Sequence, residues 1–403
     1  MPKTPARLWV IVLLVSSLAR ADGTNPADQL PVYDSKYYVI HTDLQGDDVK
    51  ECVIRMTRMF EEYHARTSDF AGSVNQKLPF YLFRNPDDYY ASGGLPGSAG
   101  IFRFDRLMAV AGDKPDSWTW HVIQHEGFHQ FVALAFGHSI PPWINEGLAE
   151  YFGESVFTGD GFVTGCIPPL RLREVKVQLQ VPPEDGGFTP VGETLLLDYP
   201  QWNRDLQSRN YNQAWSMVYF LAQADSGKYR QGLVTMLRQI AQGQQPEVVW
   251  HNLMGSTAEF DKRWRAYWLG LPDNPTDQLF AQATVATLTS FLSRSALRGQ
   301  TFSDYREFAK SIEQGSFLIT DTEQDWLPMP LAQAVLLTAQ RRTDEGAQWS
   351  LATSPTGTAP DEVVCKLEGG PKLSGHFRIE DGHVAKVWVD SSDASDPAIR
   401  PGQ

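Results

Sequence analysis

The first strong pattern is a run of β-branched and aromatic residues from Tyr37 to Leu44, which predicts a strand. From Asp47 to Arg66 the period changes. Val49, Cys52, Val53, Met56, Met59 and Phe60 recur three and four residues apart, the spacing of a helix that buries one face. Leu78 to Phe83 predicts a second strand and Leu107 to Ala111 a third, with the Gly-rich segment 92–100 as a loop between them. A helix is expected over 117–137. Pro141-Pro142 opens another over 142–154, because Pro is tolerated in a first turn. Residues 160–207 are rich in Pro, Gly and Asp and show no period. They predict a long irregular excursion that covers a cleft. Helical spacing returns at 208–224, 227–242 and 257–269, and 270–276 (GLPDNPT) reads as a domain boundary. Beyond it the pattern predicts a helical stretch at 277–315, then strands at 332–338, 347–352, 361–367, 374–379 and 383–389. The expectation is an α+β protein with a main domain over 35–272 and a smaller C-terminal region, 276–403, helical and then β-rich.

Composition changes this picture mainly at the N-terminus. Lys3 and Arg7 precede the apolar run Leu8 to Val15, and Ala19-Arg20-Ala21 follows as a small-residue cleavage site. This predicts an export signal over 1–21, cleaved after Ala21; an uncleaved anchor is the competing reading. A polar, flexible lead is expected over 22–34. No later stretch is as long and apolar as a membrane span, so no integral membrane segment is expected once the signal is removed, and the protein is expected to be secreted or periplasmic. With 48 acidic against 35 basic side chains the net charge is -13, which argues against nucleic acid as a partner. Cys52, Cys166 and Cys365 lie far apart without metal-type spacing and read as small buried hydrophobes.

The chemistry concentrates at His125-Glu126-Gly127-Phe128-His129. Two His four apart on a helix project from one face, and both imidazoles can reach one zinc ion (Zn2+) at about 2.0–2.1 Å. Glu126 lies one step round the helix, where it can take a proton from the attacking water. Trp118, Val122, His125, His129, Val132 and Phe136 form one stripe at helical period, so the His pair belongs to a buried or cleft-facing strip. The competing reading is a pair of packed helix histidines. Glu146 follows His129 by seventeen residues, on the next expected helix. A helix-loop-helix hairpin can bring it to the same metal, completing a set of two His and one Glu. Glu150, one turn on, can accept the second N–H of His125. Glu154 continues this row and reads as part of a solvated ridge, while Gly147 and Gly153 permit close backbone approach. His121 lies too far along the helix to share the metal and reads as a cleft or core histidine. His138, just after the helix-ending Gly137, reads as a cap.

H-E-x-x-H followed by W-x-N-E-G-x-A resembles the gluzincin metallopeptidases of the aminopeptidase N and leukotriene hydrolase type. It is closer still to the smaller peptidase-MA-like domains of exported bacterial proteins. The resemblance implies a thermolysin-like catalytic domain, a small mixed sheet plus zinc-binding helices. It also implies Glu146 as third zinc ligand and Glu150 as the carboxylate behind a ligand histidine. The large enzymes of this type carry a catalytic Tyr in a Y-x-K-G motif at a helix start. Tyr211-Asn212-Gln213-Ala214 matches in position, with Gln213 for the Lys and Ala214 for the Gly. Tyr211 is thereby implied as the donor to the oxyanion, with a helix-start Tyr packed against the core as the alternative. The aminopeptidases also carry a G-x-M-E-N strand whose Glu holds the substrate amine. The equivalent stretch, 100–112 (GIFRFDRLMAVAG), has no Glu. The resemblance covers roughly 35–270 and says nothing of 276–403. The functional expectation is an exported zinc metallopeptidase acting on peptide or protein substrates, as endopeptidase rather than aminopeptidase. The alternative is a non-catalytic surface or binding module with a vestigial or structural zinc site.

Overall fold

The computed structural model describes residues 25–136, 140–204, 207–318, 324–355, 357 and 359–392. The expected signal over 1–21 and the cap role of His138 lie outside the described residues.

Alternating burial in β2 (Tyr38–Thr42) starts the main sheet, with β1 (Val32–Asp34) antiparallel to it along one edge. Helix α1 (Asp47–Thr67) then crosses to β3 (Leu78–Phe83), parallel to β2. Short helix α2 (Pro86–Ala91) leads to a hairpin of β4 (Gly100–Arg103) and β5 (Arg106–Val110), and β5 lies parallel to β3. The strand order is β1-β2-β3-β5-β4, which leaves β4 as an edge. Phe60 and Tyr63 of α1 pack edge-on or tilted against Phe131 and Phe128, fixing the next helix, α3 (Ser117–Ala135), over the sheet. Asp116 caps α3 by accepting the Thr119 N–H at 2.8 Å.

Helix α4 (Pro142–Gly153) folds back along α3. The Gln124 side-chain amide donates to the carbonyls of Phe152, Gly153 and Ser155 at 3.0, 3.1 and 3.2 Å. One residue of α3 thus satisfies the last turn of α4 and fixes the hairpin. A small ribbon, β6 (Val156–Phe157) and β7 (Phe162–Val163), follows, then α5 (Pro169–Gln178), α6 (Val191–Thr194), α7 (Tyr199–Trp202), α8 (Ser208–Gly227), α9 (Arg230–Ala241), α10 (Pro246–Met254) and α11 (Thr257–Gly270). One hydrophobic cluster runs from Tyr38 to Trp268 through all these layers.

A second cluster gathers around α12 (Asp277–Leu297) with α13 (Tyr305–Glu313) and α14 (Met329–Asp344). An antiparallel sheet of β8 (Gln348–Ala352), β9 (Glu362–Lys366), β10 (Lys372–Glu380) and β11 (His383–Ser391), in the order β11-β10-β9-β8, packs on α12. The two parts are fastened by charge. Arg294 of α12, 1% exposed, holds Asp160 of the β6–β7 turn through two bonds of 2.5 and 2.8 Å. The Ile167 N–H donates to Thr276 at 2.8 Å.

The structure is mixed α and β, as the hydrophobic pattern predicts, with four corrections. The lead expected to be flexible over 22–34 carries a helical turn at 26–29, capped by Asn25, and the paired strand β1; buried Ala27 anchors it. Segment 332–338, expected as a strand, belongs to helix α14. Its apolar run hides a period of three and four, for Ala332, Val335, Leu336 and Ala339 are the buried positions. The excursion 160–207 contains α5, where Leu172 and Val175 are buried one turn apart after a Pro-Pro start. The stretch 277–315 is two helices, parted at Gly299, whose φ of 71° ends α12. Cys52, Cys166 and Cys365 are free and buried.

Candidate metal centre

Helices α3 and α4 converge on three ring and carboxylate atoms. His125 Nε2 and His129 Nε2 are 3.0 Å apart, and Glu146 Oε2 lies 3.2 and 3.3 Å from them. Four donors at about 2.0–2.1 Å around a tetrahedral ion are separated by about 3.3 Å, so this triangle is the face such an ion would sit on. All three side chains are deeply set, with exposures of 10%, 11% and 12%. The donor set of two imidazoles and one carboxylate suits a divalent transition metal and is not specific to zinc. The Nδ1 of His129, although buried, meets no hydrogen-bond partner among the described residues.

The electrostatics of the triad follow from its burial. Burial alone would raise the Glu146 carboxyl, but the adjacent His129 and His125 outweigh it and hold it at about 2. Burial pulls His125 down, yet hydrogen bonds to Glu146 and Glu150 raise it well above its ordinary 6.5. His129 is raised in the same way, chiefly by Glu146 against its own burial. Without a cation the two imidazoles are therefore biased toward their protonated forms by the carboxylates around them.

Glu150 stands behind the triad. Its Oε1 is 3.3 Å from His125 Nδ1, the position from which it fixes the ring and its tautomer. Its Oε2 accepts from Arg171 Nη1 at 2.5 Å. The same nitrogen donates to Glu154 at 2.6 Å, and the guanidinium lies 4.5 Å over the Trp215 ring. Burial works against ionised Glu150, but the charge of Arg171 leads the groups that hold it well below the usual carboxylate range. Glu154 is not the solvated ridge expected of it: it is largely buried and paired with this Arg. His121, stacked on Trp118 at 5.2 Å, faces the same two carboxylates at 3.5 and 3.9 Å, so the charge of that second group is already met by Arg171.

Glu126 occupies the cleft side of α3. Its Oε2 accepts the Phe102 N–H of edge strand β4 at 2.8 Å, which fixes the carboxylate in the cleft that the triad also lines. The approach needs Gly100, where a Cβ would fall 2.4 Å from Val122 Cγ1 and 3.4 Å from Glu126 Cγ. Tyr211, at the start of α8, has its ring 6.1 Å from that of His125. Burial, then the charges of Glu146, Glu126 and Glu150, push its phenol up, so it keeps its proton. Tyr199, a second phenol beside the site, donates to the Ile140 carbonyl at 3.1 Å and accepts from Asn145 at 3.0 Å.

These groups line one cleft of about 2720 Å³. The whole expected stripe from Trp118 to Phe136 faces it. The structure thus brings together His125, Glu126, His129, Glu146, Glu150 and Tyr211. Sequence reasoning missed Arg171, Tyr199 and the Phe102 N–H. The Pro168-Pro169 start and the Leu172 and Val175 spacing could have revealed the helix that carries Arg171, but nothing in the pattern marks its charge as directed inward.

Residues 120–246 match a family model. It is described as "Protein of unknown function (DUF1570)". The matched stretch contains the triad, Glu126, Glu150, Arg171 and Tyr211, and stops short of the C-terminal unit. A search of curated proteins found no match.

Proposed function

We propose that this chain is an exported zinc metallopeptidase of the gluzincin type, with a thermolysin-like catalytic unit and endopeptidase action. The observation that carries the proposal is the triangle of His125, His129 and Glu146, with Glu126 held beside it by strand β4. Export rests on the sequence of residues 1–21.

A zinc ion held by the triad supplies a Lewis acid and makes water acidic near neutral pH. Glu126 takes the proton of the attacking water and later delivers it to the leaving amine. Its bond to Phe102 uses one oxygen and leaves the other available for that proton. Tyr211, kept protonated by burial and neighbouring carboxylates, donates to the oxyanion that forms at the scissile carbonyl. Tyr199 has already committed its proton to Ile140 and so serves as a wall. Glu150 and Arg171 hold the His125 ring in place. Strand β4 is a sheet edge beside the site, and its outward backbone groups other than the Phe102 N–H can pair with an extended substrate.

Two features favour an endopeptidase. Strands β4 and β5 offer no carboxylate for a free amine, since 100–112 contains no Glu and its Asp105 lies at the solvent-exposed hairpin turn. The cleft also exceeds the roughly 300–1,000 Å³ of a small-molecule pocket. The test is Glu126→Gln assayed on reduced casein. The expected result is unchanged zinc content with hydrolysis reduced at least about a thousandfold. A variant that still cleaves at wild-type rate removes Glu126 as the base. Wild type that binds zinc and cleaves neither casein nor blocked or free-amine peptides leaves a binding module with a structural ion.

A further inference from the structure

The C-terminal unit has a face that the chemistry above does not use. Phe280 of α12 and Pro330, Leu331 and Ala334 of α14 line the same cleft as the metal triad. In the same cleft α5 contributes Leu170, which is 61% exposed although apolar. This wall is rigidly set. Arg294 clamps Asp160, and Arg342 of α14 reaches Asp277 at the start of α12 at 3.1 and 3.2 Å. Exposed apolar side chains on a fixed wall, continuous with a reaction site, are the usual marks of a recognition surface.

We propose that α12 and α14 form a subsite for apolar side chains of an unfolded polypeptide lying in the cleft. The reading rests on the peptidase proposal for what happens at the triad. The occupant follows from the shape and chemistry of the cleft. Its volume is several times that of a small-molecule pocket. The triad sits at a buried floor that a folded surface cannot reach and an extended chain can. The wall carries Phe, Leu, Pro and Ala and so selects side chains that folded proteins keep inside. Residues 276–403 thereby take on a role in substrate selection.

The experiment measures binding apart from cleavage, in the full chain carrying Glu126→Gln. The probe is a fluorescein-labelled peptide of about sixteen residues with Leu or Phe at alternate positions, long enough at about 3.3 Å per residue to run well past the triad. A second probe of equal length has Ser and Thr there. Leu331→Asp and Ala334→Asp change the wall. Leu337→Asp changes an equally apolar position on α14, 64% exposed, that does not line the cleft. Ala334 and Leu337 are exposed, whereas Leu331 is half-buried and also packs on the C-terminal core, so folding of each variant is checked by circular dichroism and Ala334→Asp alone decides where Leu331→Asp unfolds the wall. The expected result is that Leu331→Asp and Ala334→Asp raise the Kd of the apolar probe about tenfold, leave the polar probe unchanged, and are not mimicked by Leu337→Asp. Equal Kd values for the parent and both wall variants overturn the proposal, as does equal weakening by Leu337→Asp. Cleavage of the probes by the chain with Glu126 intact is read separately. The binding contrast without cleavage removes the peptidase reading and keeps the subsite; cleavage without the contrast removes the subsite alone.

Discussion

Gly147 follows the proposed ligand Glu146 on α4, and its missing side chain is what lets α4 lie against α8. A Cβ there would fall 2.5 Å from the Ala214 carbonyl oxygen, 2.5 Å from Val218 Cγ2 and 2.9 Å from the Ala214 carbonyl carbon. Carbon contacts settle at about 3.5–4.0 Å, so Gly147→Ala must part the helices by about 1 Å. Two of the three atoms are backbone and cannot turn aside. Overpacking of this kind costs about 1–3 kcal/mol, and Ala returns about 1 kcal/mol in helix propensity. A clash with backbone falls in the upper part of that overpacking range, so the net loss is about 1–2 kcal/mol. With an unfolding entropy of about 2.1 cal/mol/K per residue, this lowers the Tm of a 403-residue chain by roughly 1–2 °C. Gly232 of α9 provides the opposite case. The atoms nearest its added Cβ are the flexible end of Met254, Cε at 3.0 Å and Sδ at 3.7 Å. Gly232→Ala is expected to raise stability by up to about 1 kcal/mol. Thermal unfolding of the zinc-free protein, followed by circular dichroism, separates the two. A Gly147→Ala protein as stable as wild type refutes the close-approach argument. If the stability falls but zinc affinity does not, the helices have parted without moving Glu146.

Removing the guanidinium in Arg171→Ala leaves Glu150 and Glu154 facing each other while buried. It should weaken zinc binding about 10–100-fold and destabilise the fold by about 3–5 kcal/mol, with Arg171→Lys intermediate; unchanged zinc Kd and Tm in the Ala variant would contradict the network. Zinc binding must displace the protons that Glu146 and Glu150 hold on His125 and His129. Affinity should therefore rise with pH between 6 and 8, by about tenfold per unit for each proton released, and a flat profile by competition with a chelating dye rules this out. In the metal-free protein the sign reverses. The raised His125 value stabilises the fold fully below the ordinary 6.5 and is lost as pH climbs through the raised value, so the apo form should melt lower at pH 9 than at pH 6.

The parts legible in the sequence are those where one local period decides the outcome. α1 and α3 follow from apolar spacing and α4 from its Pro141-Pro142 start, and the cleft-facing stripe from Trp118 to Phe136 is one helical row. The triad needed one step more, the return of α4 along α3, and the Gln124 bonds to the end of α4 are what fix it. Legibility fails where tertiary contacts set the role. Arg171 is an ordinary helix residue until α5 packs against α8 and α11 and brings its guanidinium to Glu150 and Glu154. The Phe102 N–H is a backbone group, invisible to any reading of side chains, and it meets Glu126 because β4 ends up at the sheet edge. Segment 332–338 misled because four apolar neighbours in a row satisfy both periods, and burial on α14 had to choose between them.

The carboxylates explain why these missed groups matter to the ones that were found. Glu126, Glu146, Glu150 and Glu154 all line one cleft, and among the described residues Arg171 is the guanidinium bonded to two of them. That pairing divides the cluster. Glu150 and Glu154 are balanced by Arg171, so Glu150 can stay ionised and accept the His125 N–H without needing the metal. Glu146 is held ionised by the neighbouring His129 and His125, the place the proposed ion would take. Among the described residues Glu126 is bonded to one backbone N–H and to no cationic side chain, an arrangement that suits the proposed general base. Moving the Arg171 charge therefore disturbs the ligand side of the site first. The expected signature of Arg171→Ala is weakened metal binding, with Glu126 still held against β4.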